Sequence, residues 1–348
     1  MVLSLCGFWR PENSSKFFYG AYSFFMLIIV FTNAISMTMD LVINVKNFDD
    51  FSKNALMLFS MINVFSKGSS LVLRHNDIIK LTETLFEYPC RSTNEDEVRV
   101  ESKFNRIARY NSNRFMQFGL IVVSLIILES LYTCFSGKLI LPFRAWYPID
   151  YDGSLFIFFV CWTHQMIAIT VGGMSSSSLD TIIAGLMLQV CAQVEIMKVR
   201  LHKWPVIRKN LNVDGQDLRF QETRYLTACI HHHRHIFIFA RQLNKLLNIV
   251  LFMQFFIGAI LICSLVYHIS VISVTSTEFY VVMLYFSGIA AEVFIYCWFG
   301  NECILSSLSV MNAVYTMDWT LLTSEGQKSL LMIMLRAAIP IKFTSSFL

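Results

Sequence analysis

The hydrophobic positions of this chain are gathered into six long runs, separated by more polar stretches. A helix that crosses the hydrocarbon layer of a bilayer needs about 20 mostly apolar residues. Runs of this kind occupy residues 17–44, 51–73, 115–135, 155–193, 246–272 and 279–299. The fourth run is too long for one crossing, so we expect its second half, and the stretch 191–245 beyond it, to continue as helices into the aqueous phase. The pattern predicts an all-α polytopic membrane protein with six complete transmembrane helices.

The segment after the sixth run is polar, and it leads into a short apolar helix that we expect to begin near Ser329. Pro340 interrupts this helix, because proline cannot continue the backbone hydrogen bonds. The stretch from Ser329 to Leu348 is too short to complete another crossing. We therefore expect only the start of a seventh helix.

The composition supports a membrane protein and disfavours several other classes. Apolar residues make up 55% of the chain and charged residues 15%, against about 25% charged residues in an ordinary soluble domain. The net charge of +4 is small and dispersed, so no nucleic-acid surface is indicated. Phosphate-binding glycine loops, nucleophile elbows and zinc-protease motifs are missing from the sequence. We expect no enzyme activity, no cofactor and no metal site.

The lysine and arginine residues indicate the orientation of the chain in the membrane. The connections on the side of the N-terminus carry 20 of them, and those on the opposite side carry 4. Cytosolic loops carry the excess of Lys and Arg, so the N-terminus is predicted to be cytosolic and the sequon at Asn13 to stay unglycosylated. A G-protein-coupled receptor has the opposite orientation, so this class is disfavoured.

Ionisable residues within the apolar runs should contact protein or water. Glu129 and Glu292 would each cost roughly 2.5–3.5 kcal/mol if they faced lipid at the bilayer centre. Lys67 in the second run is the candidate partner of a buried acid. A role in ligand contact or gating and a plain interhelical hydrogen bond both stay open for these acids.

Four histidines stand close together in the stretch 231–235, at positions 231, 232, 233 and 235. On a helix only His231 and His235 would share a face. Packing and hydrogen bonding in a cytosolic helix are therefore favoured over metal ligation.

Aromatic and methionine side chains are frequent in the outer halves of the second, third, fourth and sixth runs. Taken singly, such side chains usually face lipid or fill the core. Together they suit a cavity for a small volatile ligand, which binds by burial and shape. The candidate ligand-binding residues are Phe59, Leu128, Tyr132, Phe159, Trp162, Met166, Tyr280 and Met283.

Several motifs resemble the insect odorant receptor family. The sequence LPFRAWYPID at 141–150 resembles an extracellular signature of that family, and Cys-Ile followed by His and Ile at 229–236 resembles a second. The most specific similarity covers 296–340, with FGNE at 299–302, NAVY at 312–315, DW at 318–319, LLM at 330–332, RA at 336–337 and Pro340. The resemblance covers nearly the whole chain, which is identified as a tuning-type member of the family.

The resemblance implies a function and a set of partners. Tuning receptors of this family assemble with a co-receptor subunit into a heterotetrameric cation channel of olfactory neurons, gated by a small hydrophobic odorant bound among the second, third, fourth and sixth helices. A broken seventh helix packs its first half in a central cytosolic anchor. The positions of this chain that match the anchor are Tyr315, Trp319, Leu331 and Arg336. The pore-lining second half has no counterpart before Leu348, so we expect a C-terminally truncated subunit.

These expectations divide the chain into four segments. Residues 1–190 would hold transmembrane helices 1–4 and the odorant pocket, 191–245 the cytosolic helical extension, 246–300 helices 5 and 6, and 301–348 the anchor segment and the first half of helix 7. The alternatives are a gustatory-receptor-like channel, which shares the topology, a G-protein-coupled receptor and a secondary transporter. The last of these would show inverted repeats, and none is visible.

Overall fold

A computed structural model describes residues 2–7, 15–44, 48–137, 139–149, 151, 153–210 and 215–345. Within these ranges the chain forms helices and turns and contains no strand. The helices are α1 (Val2–Leu5), α2 (Lys16–Ile43), α3 (Phe48–Leu73), α4 (His75–Glu83), α5 (Glu95–Phe135), α6 (Leu155–Asn210), α7 (Gly215–Val271), α8 (Thr277–Thr316) and α9 (Ser324–Ala337). The predicted all-α fold class is confirmed. The sequon at Asn13 lies outside the described residues.

Six of these helices, α2, α3, α5, α6, α7 and α8, are long and apolar enough to cross a membrane. They contain the six apolar runs of the sequence. Helix α6 continues for 56 residues and α7 for 57, well beyond the roughly 20 residues that one crossing requires. The expected helical continuation of the fourth run, and the helical character of most of 191–245, are confirmed.

The last helix begins earlier than the sequence pattern predicts. Helix α9 starts at Ser324 and not near Ser329, so that prediction was wrong by about one turn. The reason lies in Thr323, whose Oγ1 accepts a hydrogen bond of 3.2 Å from the backbone N–H of Gly326. Such an N-cap satisfies a backbone donor that a helix start leaves unpaired. The helix ends at Ala337, before Pro340, as expected.

The chain divides into two compact units. Unit 1 comprises residues 1–73, 112–182 and 249–294, and unit 2 comprises 74–111, 183–248 and 295–348. Unit 1 contains α2 and α3 together with the apolar halves of α5, α6, α7 and α8. Unit 2 contains α4, α9 and the remaining halves of the four long helices, and it carries 20 of the 28 lysines and arginines.

Small residues allow helices of unit 1 to approach closely. A Cβ on Gly119 of α5 would lie 2.8 Å from the Ser177 hydroxyl of α6, and one on Gly173 of α6 would lie 3.3 Å from Val123 of α5. Close backbone approach at small residues is a principal source of helix association in lipid. The opposite surface of α5 exposes large apolar side chains such as Ile121 and Leu125, as expected for a face in contact with lipid.

In unit 2, Arg200 of α6 connects several segments. Its guanidinium contacts both carboxylate oxygens of Glu97, with Nε–Oε1 3.1 Å and Nη2–Oε2 2.8 Å. A third guanidinium nitrogen donates to Nδ1 of His232 at 3.1 Å, so Nε2 of this histidine carries the ring hydrogen and donates to Gln193 at 2.8 Å. Burial, assisted by Arg200, lowers the pKa of His232 to about 3. This histidine is therefore a neutral hydrogen-bonding residue.

Candidate ligand-binding site

Two neighbouring cavities lie within unit 1. The first has a volume of about 340 Å³ and the second about 130 Å³. Both are bordered by Met57 of α3, Ile126 of α5 and Tyr285 of α8. For comparison, an engineered apolar cavity of about 150 Å³ is sufficient to bind benzene. The first cavity exceeds this volume and the second is slightly smaller, so together the two are large enough for a small organic molecule.

The larger cavity, called cavity 1 below, is lined mostly by apolar side chains and by a few polar ones. Its polar groups come from Glu129, Ser130 and Thr133 of α5 and His268 of α7. The indole nitrogen of Trp162 in α6 donates a hydrogen bond of 2.8 Å to the Ser130 hydroxyl. This contact fixes one wall residue from the neighbouring helix.

The connection between α5 and α6 closes part of cavity 1. Its wall includes Leu141, Pro142 and Phe143, the first three residues of the LPFRAWYPID motif. The side-chain amide of Gln165 in α6 forms two hydrogen bonds with the backbone of Phe143. It accepts from the Phe143 N–H at 3.2 Å and donates to the Phe143 carbonyl at 3.1 Å. Gln165 is fully buried. Helix α6 therefore holds the backbone of this motif against the cavity.

The smaller cavity, called cavity 2 below, ends at a buried cluster of polar side chains. Lys67 of α3 donates to Asp180 of α6 at 2.7 Å and to Glu292 of α8 at 3.2 Å. Lys67 and Asp180 have at most 1% of their side-chain surface exposed, whereas Glu292 has 15% exposed and borders the cavity. The predicted pairing of Lys67 with a buried acid is confirmed. The second acid of the cluster is Asp180, a residue that was not identified from the sequence.

The hydrogen bonds of this cluster include further residues of α3 and α6 and extend to one further helix, α7. The Ser176 hydroxyl of α6 accepts from Lys67 at 3.2 Å and donates to Glu292 at 3.3 Å. The Gln254 amide of α7 donates to Glu292 at 3.2 Å and accepts from Asn63 of α3 at 2.9 Å. Four membrane helices therefore meet at one polar cluster, which borders the cavity through Glu292, Ser176 and Asn63.

The residues predicted to bind the ligand lie on the expected helices but do not border these two cavities. Leu128, Tyr132, Phe159, Tyr280 and Met283 have between 39% and 75% of their surface exposed. Met166 is buried, Phe59 packs against the core cluster around Leu261, and Trp162 touches cavity 1 only through Ser130. Their role as ligand contacts stays a prediction.

The cavities are lined by a different face of the same helices. On α5 the lining residues recur at helical spacing along one stripe, and they include Phe115, Phe118, Gly119, Val122, Ile126, Glu129, Ser130 and Thr133. On α8 they include Val281, Val282, Tyr285, Gly288, Ile289 and Glu292. Each stripe contains an intramembrane acid. The residues that share a helical face with Glu129 or Glu292 can be read from the sequence, and they would have identified this cavity-lining face.

Three of the four residues that match the subunit anchor come together in unit 2. Tyr315, Trp319 and Leu331 border a groove of about 400 Å³ between the end of α8 and α9, and each has more than 40% of its surface exposed. Arg336 lies apart from this groove, with its guanidinium carbon 3.6 Å from the centroid of the Phe237 ring. The anchor role of all four stays a prediction.

Comparison with known proteins decides the family. The family model described as 7tm Odorant receptor matches residues 47–348. The chain belongs to the 7tm odorant receptor family. Odorant receptor Or1 of Anopheles gambiae is 23% identical to this receptor over 325 residues, which is 87% of this chain and 76% of that protein. Odorant receptor 67a of Drosophila melanogaster is 23% identical over 272 residues, covering 76% of this chain and 65% of that protein.

Solved structures show the same fold. The insect olfactory receptor OR5 from Machilis hrabei superposes on this receptor with a TM-score of 0.84 at 16% identity, covering 99% of this chain and 89% of that chain. The same olfactory receptor in complex with eugenol gives a TM-score of 0.80. The predicted membership of the odorant receptor family is confirmed, and the receptor has the helical fold of that structure.

Proposed function

We propose that this receptor is an odorant-sensing subunit that binds a small, largely apolar volatile molecule in cavities 1 and 2. Together with a co-receptor subunit it would gate a non-selective cation channel in the plasma membrane of olfactory sensory neurons. The observation that carries the proposal is the pair of adjoining cavities within unit 1. Their walls are mostly apolar with a few convergent polar groups, which is the usual character of small-molecule sites.

Family membership favours this function over the alternatives. The matching family model is that of odorant receptors, which supports neither the gustatory-receptor-like channel nor the G-protein-coupled receptor. Odorants activate a channel only if they bind its open form better than its closed form. A cavity that touches α3, α5, α7 and α8 at once could couple binding to a rearrangement of these helices.

The groove at the end of α8 supports assembly with a co-receptor. Tyr315, Trp319 and Leu331 leave large apolar surfaces uncovered in this chain, and aromatic residues are enriched at the centres of subunit interfaces. We propose that the co-receptor subunit covers this groove, with Arg336 at the same anchor. Trp319→Ala should then reduce the amount of co-receptor that co-purifies with the receptor, whereas Trp298→Ala, which removes an exposed tryptophan elsewhere on α8, should not.

The cavity assignment can be tested with two glycines of the same helix. Gly288 borders cavity 2, and a Cβ added to it or to Gly300 of unit 2 would meet nothing within 4 Å. Gly288→Leu should fill the cavity, and Gly300→Leu is the matched control. In cells that express the co-receptor, odorant-evoked currents should need at least about tenfold more ligand in the first variant, about 1.4 kcal/mol of lost binding, and should be unchanged in the second.

The same assay separates this site from the one predicted by the sequence pattern. Tyr132 lies on α5 but outside the lining stripe, with 75% of its surface exposed. If Tyr132→Ala abolished responses while Gly288→Leu left them intact, the ligand would bind at the outer face of the helices and the proposed cavities would be wrong.

A further inference from the structure

Among the described residues, the polar end of cavity 2 holds more acidic than basic side chains. The contacts described above join one ammonium, that of Lys67, to two carboxylates, those of Asp180 and Glu292. An excess charge inside a membrane protein is costly and marks a functional position. Glu292 is the acid of this pair that reaches the cavity wall. A cationic group placed in the cavity would balance the excess.

One of the neighbouring amides, that of Asn63, belongs to the wall of the same cavity and carries a second acceptor. Because Glu292 accepts hydrogen bonds as a carboxylate, Gln254 must turn its NH₂ group toward it, and the Gln254 carbonyl then faces Asn63. Asn63 consequently donates its own NH₂ group to Gln254 at 2.9 Å. This orientation leaves Oδ1 of Asn63 without a hydrogen-bond partner among the described residues, although the residue is only 4% exposed. A buried acceptor without a partner is costly unless a ligand or water supplies a donor.

Three of the four hydroxyl groups of the cavity wall, those of Ser60, Ser176 and Tyr285, use their hydrogens within the protein. Ser60 donates to the Leu56 carbonyl at 3.1 Å. In its short contact with Tyr285, Ser60 must therefore accept, so the Tyr285 hydrogen is also used. The Ser176 hydrogen points to Glu292. These three hydroxyls do not offer a donor, whereas Glu292 and Asn63 offer acceptors.

We propose that the preferred ligands of this receptor are small primary amines, bound as ammonium ions at Glu292 and Asn63 with their apolar part among Met57, Met61 and Ile126. This inference rests on the proposed function and adds the chemical class of the odorant. An ammonium group supplies the missing positive charge and up to three donors to a wall that is rich in acceptors. An alcohol supplies one donor and no charge, and a hydrocarbon supplies neither.

Three probes of nearly equal size test the proposal. They are 2-phenylethylamine, 2-phenylethanol and propylbenzene, which differ only in a terminal ammonium, hydroxyl or methyl group. Binding to the full chain in detergent is measured by calorimetry at about pH 7, where an alkylamine is protonated. The amine should bind at least about tenfold more tightly than the alcohol. Glu292→Gln, which keeps the shape and removes the charge, should abolish this preference.

Two further variants control for a folding defect in Glu292→Gln and for binding of the amine in cavity 1. Asn63→Ala removes the unpaired acceptor and leaves the ion pairs of Lys67 intact, and it should also weaken amine binding selectively. Glu129→Gln makes the matched change in cavity 1 and should leave the amine preference unchanged.

The inference is overturned if the amine binds no better than propylbenzene, if the preference survives in both Glu292→Gln and Asn63→Ala, or if Glu129→Gln alone removes it. The proposed function has its own criterion. It fails if no odorant response depends on Gly288, whatever the chemical class of the ligand.

Discussion

Glu97 shows how a single carboxylate is held ionised in unit 2. Only 1% of its side chain is exposed. It accepts hydrogen bonds from Arg200, from the Thr93 backbone N–H at 2.9 Å and from the Asn94 amide at 3.0 Å. Burial opposes ionisation, but the hydrogen bonds from Arg200, Thr93 and Asn94 outweigh it and lower the pKa of Glu97 to about 2. Its contribution to stability must therefore depend on pH.

We predict that the receptor loses stability when the pH falls from about 5 to about 2. An unfolded glutamate titrates near pH 4.3, so the unfolded chain takes up a proton before the folded chain does, and folding becomes less favourable. His232 acts in the same direction at higher pH, because its folded pKa of about 3 lies below the unfolded value near 6.5. Thermal unfolding of the purified chain, followed across this range, measures the loss.

Glu97→Gln tests the same contact at neutral pH. It leaves the guanidinium of Arg200, which is only 13% exposed, without its anion, which should cost about 3 kcal/mol of unfolding free energy. The control is Glu95→Gln on the same helix, since Glu95 is almost fully exposed and lies 3.8 Å from Arg99. An equal loss of stability in both variants would show that the Arg200 contact is not special.

At the scale of the element, α9 depends on a contact from another helix. Glu222 of α7, which is 1% exposed, accepts hydrogen bonds from both the backbone N–H and the hydroxyl of Thr323, with 3.0 Å for the first. Gly326 packs directly on this carboxylate, and a Cβ there would lie 2.2 Å from Oε1 and 3.0 Å from Cδ of Glu222. The start of α9 therefore requires a glycine at this position.

We predict that Gly326→Ala destabilises α9. Alanine favours a helix by about 1 kcal/mol over glycine, but its methyl group would displace Glu222 and break both bonds to Thr323. Hydrogen exchange of the α9 amides should become faster. Gly300→Ala in α8 is the control, because its Cβ meets nothing within 4 Å, and it should be neutral or slightly stabilising. Unchanged protection of α9 in Gly326→Ala would contradict the role assigned to Glu222.

The helices could be predicted from the sequence far better than the cavity-lining faces. Six apolar runs of sufficient length specify six crossings, whichever way their side chains point. In a membrane, however, aromatic and aliphatic residues suit both lipid and protein, so residue type alone did not indicate whether Tyr132 and Tyr280 line these cavities. The polar residues were more informative about the direction of each helix face, because Glu129 and Glu292 avoid lipid and therefore indicate the side that faces the protein interior. The early start of α9 was missed because it depends on Glu222, about a hundred residues away in sequence.

At the scale of the whole molecule, the distribution of charge remains the basis for the orientation. Unit 2 holds 20 of the 28 lysines and arginines, whereas unit 1 holds the apolar part of every candidate span. Because basic residues are retained on the cytosolic side, the N-terminus and the basic connections are expected in the cytosol, and the short connection between α7 and α8 outside. Of these 20 residues, 17 also belong to the 20 counted in the predicted connections on the side of the N-terminus.

We predict that an epitope tag before Met1 is reached by antibody only after cells are permeabilised. A tag inserted after Val274, an exposed residue between α7 and α8, should be stained on intact cells and serves as the control for surface expression. Asn13 should carry no glycan, since a cytosolic sequon does not meet the glycosylating enzyme. Staining of the N-terminal tag on intact cells, or a mobility shift removed by glycosidase and by Asn13→Gln, would reverse the orientation. It would place the groove at Trp319 outside the cell, where it could not serve as a cytosolic anchor.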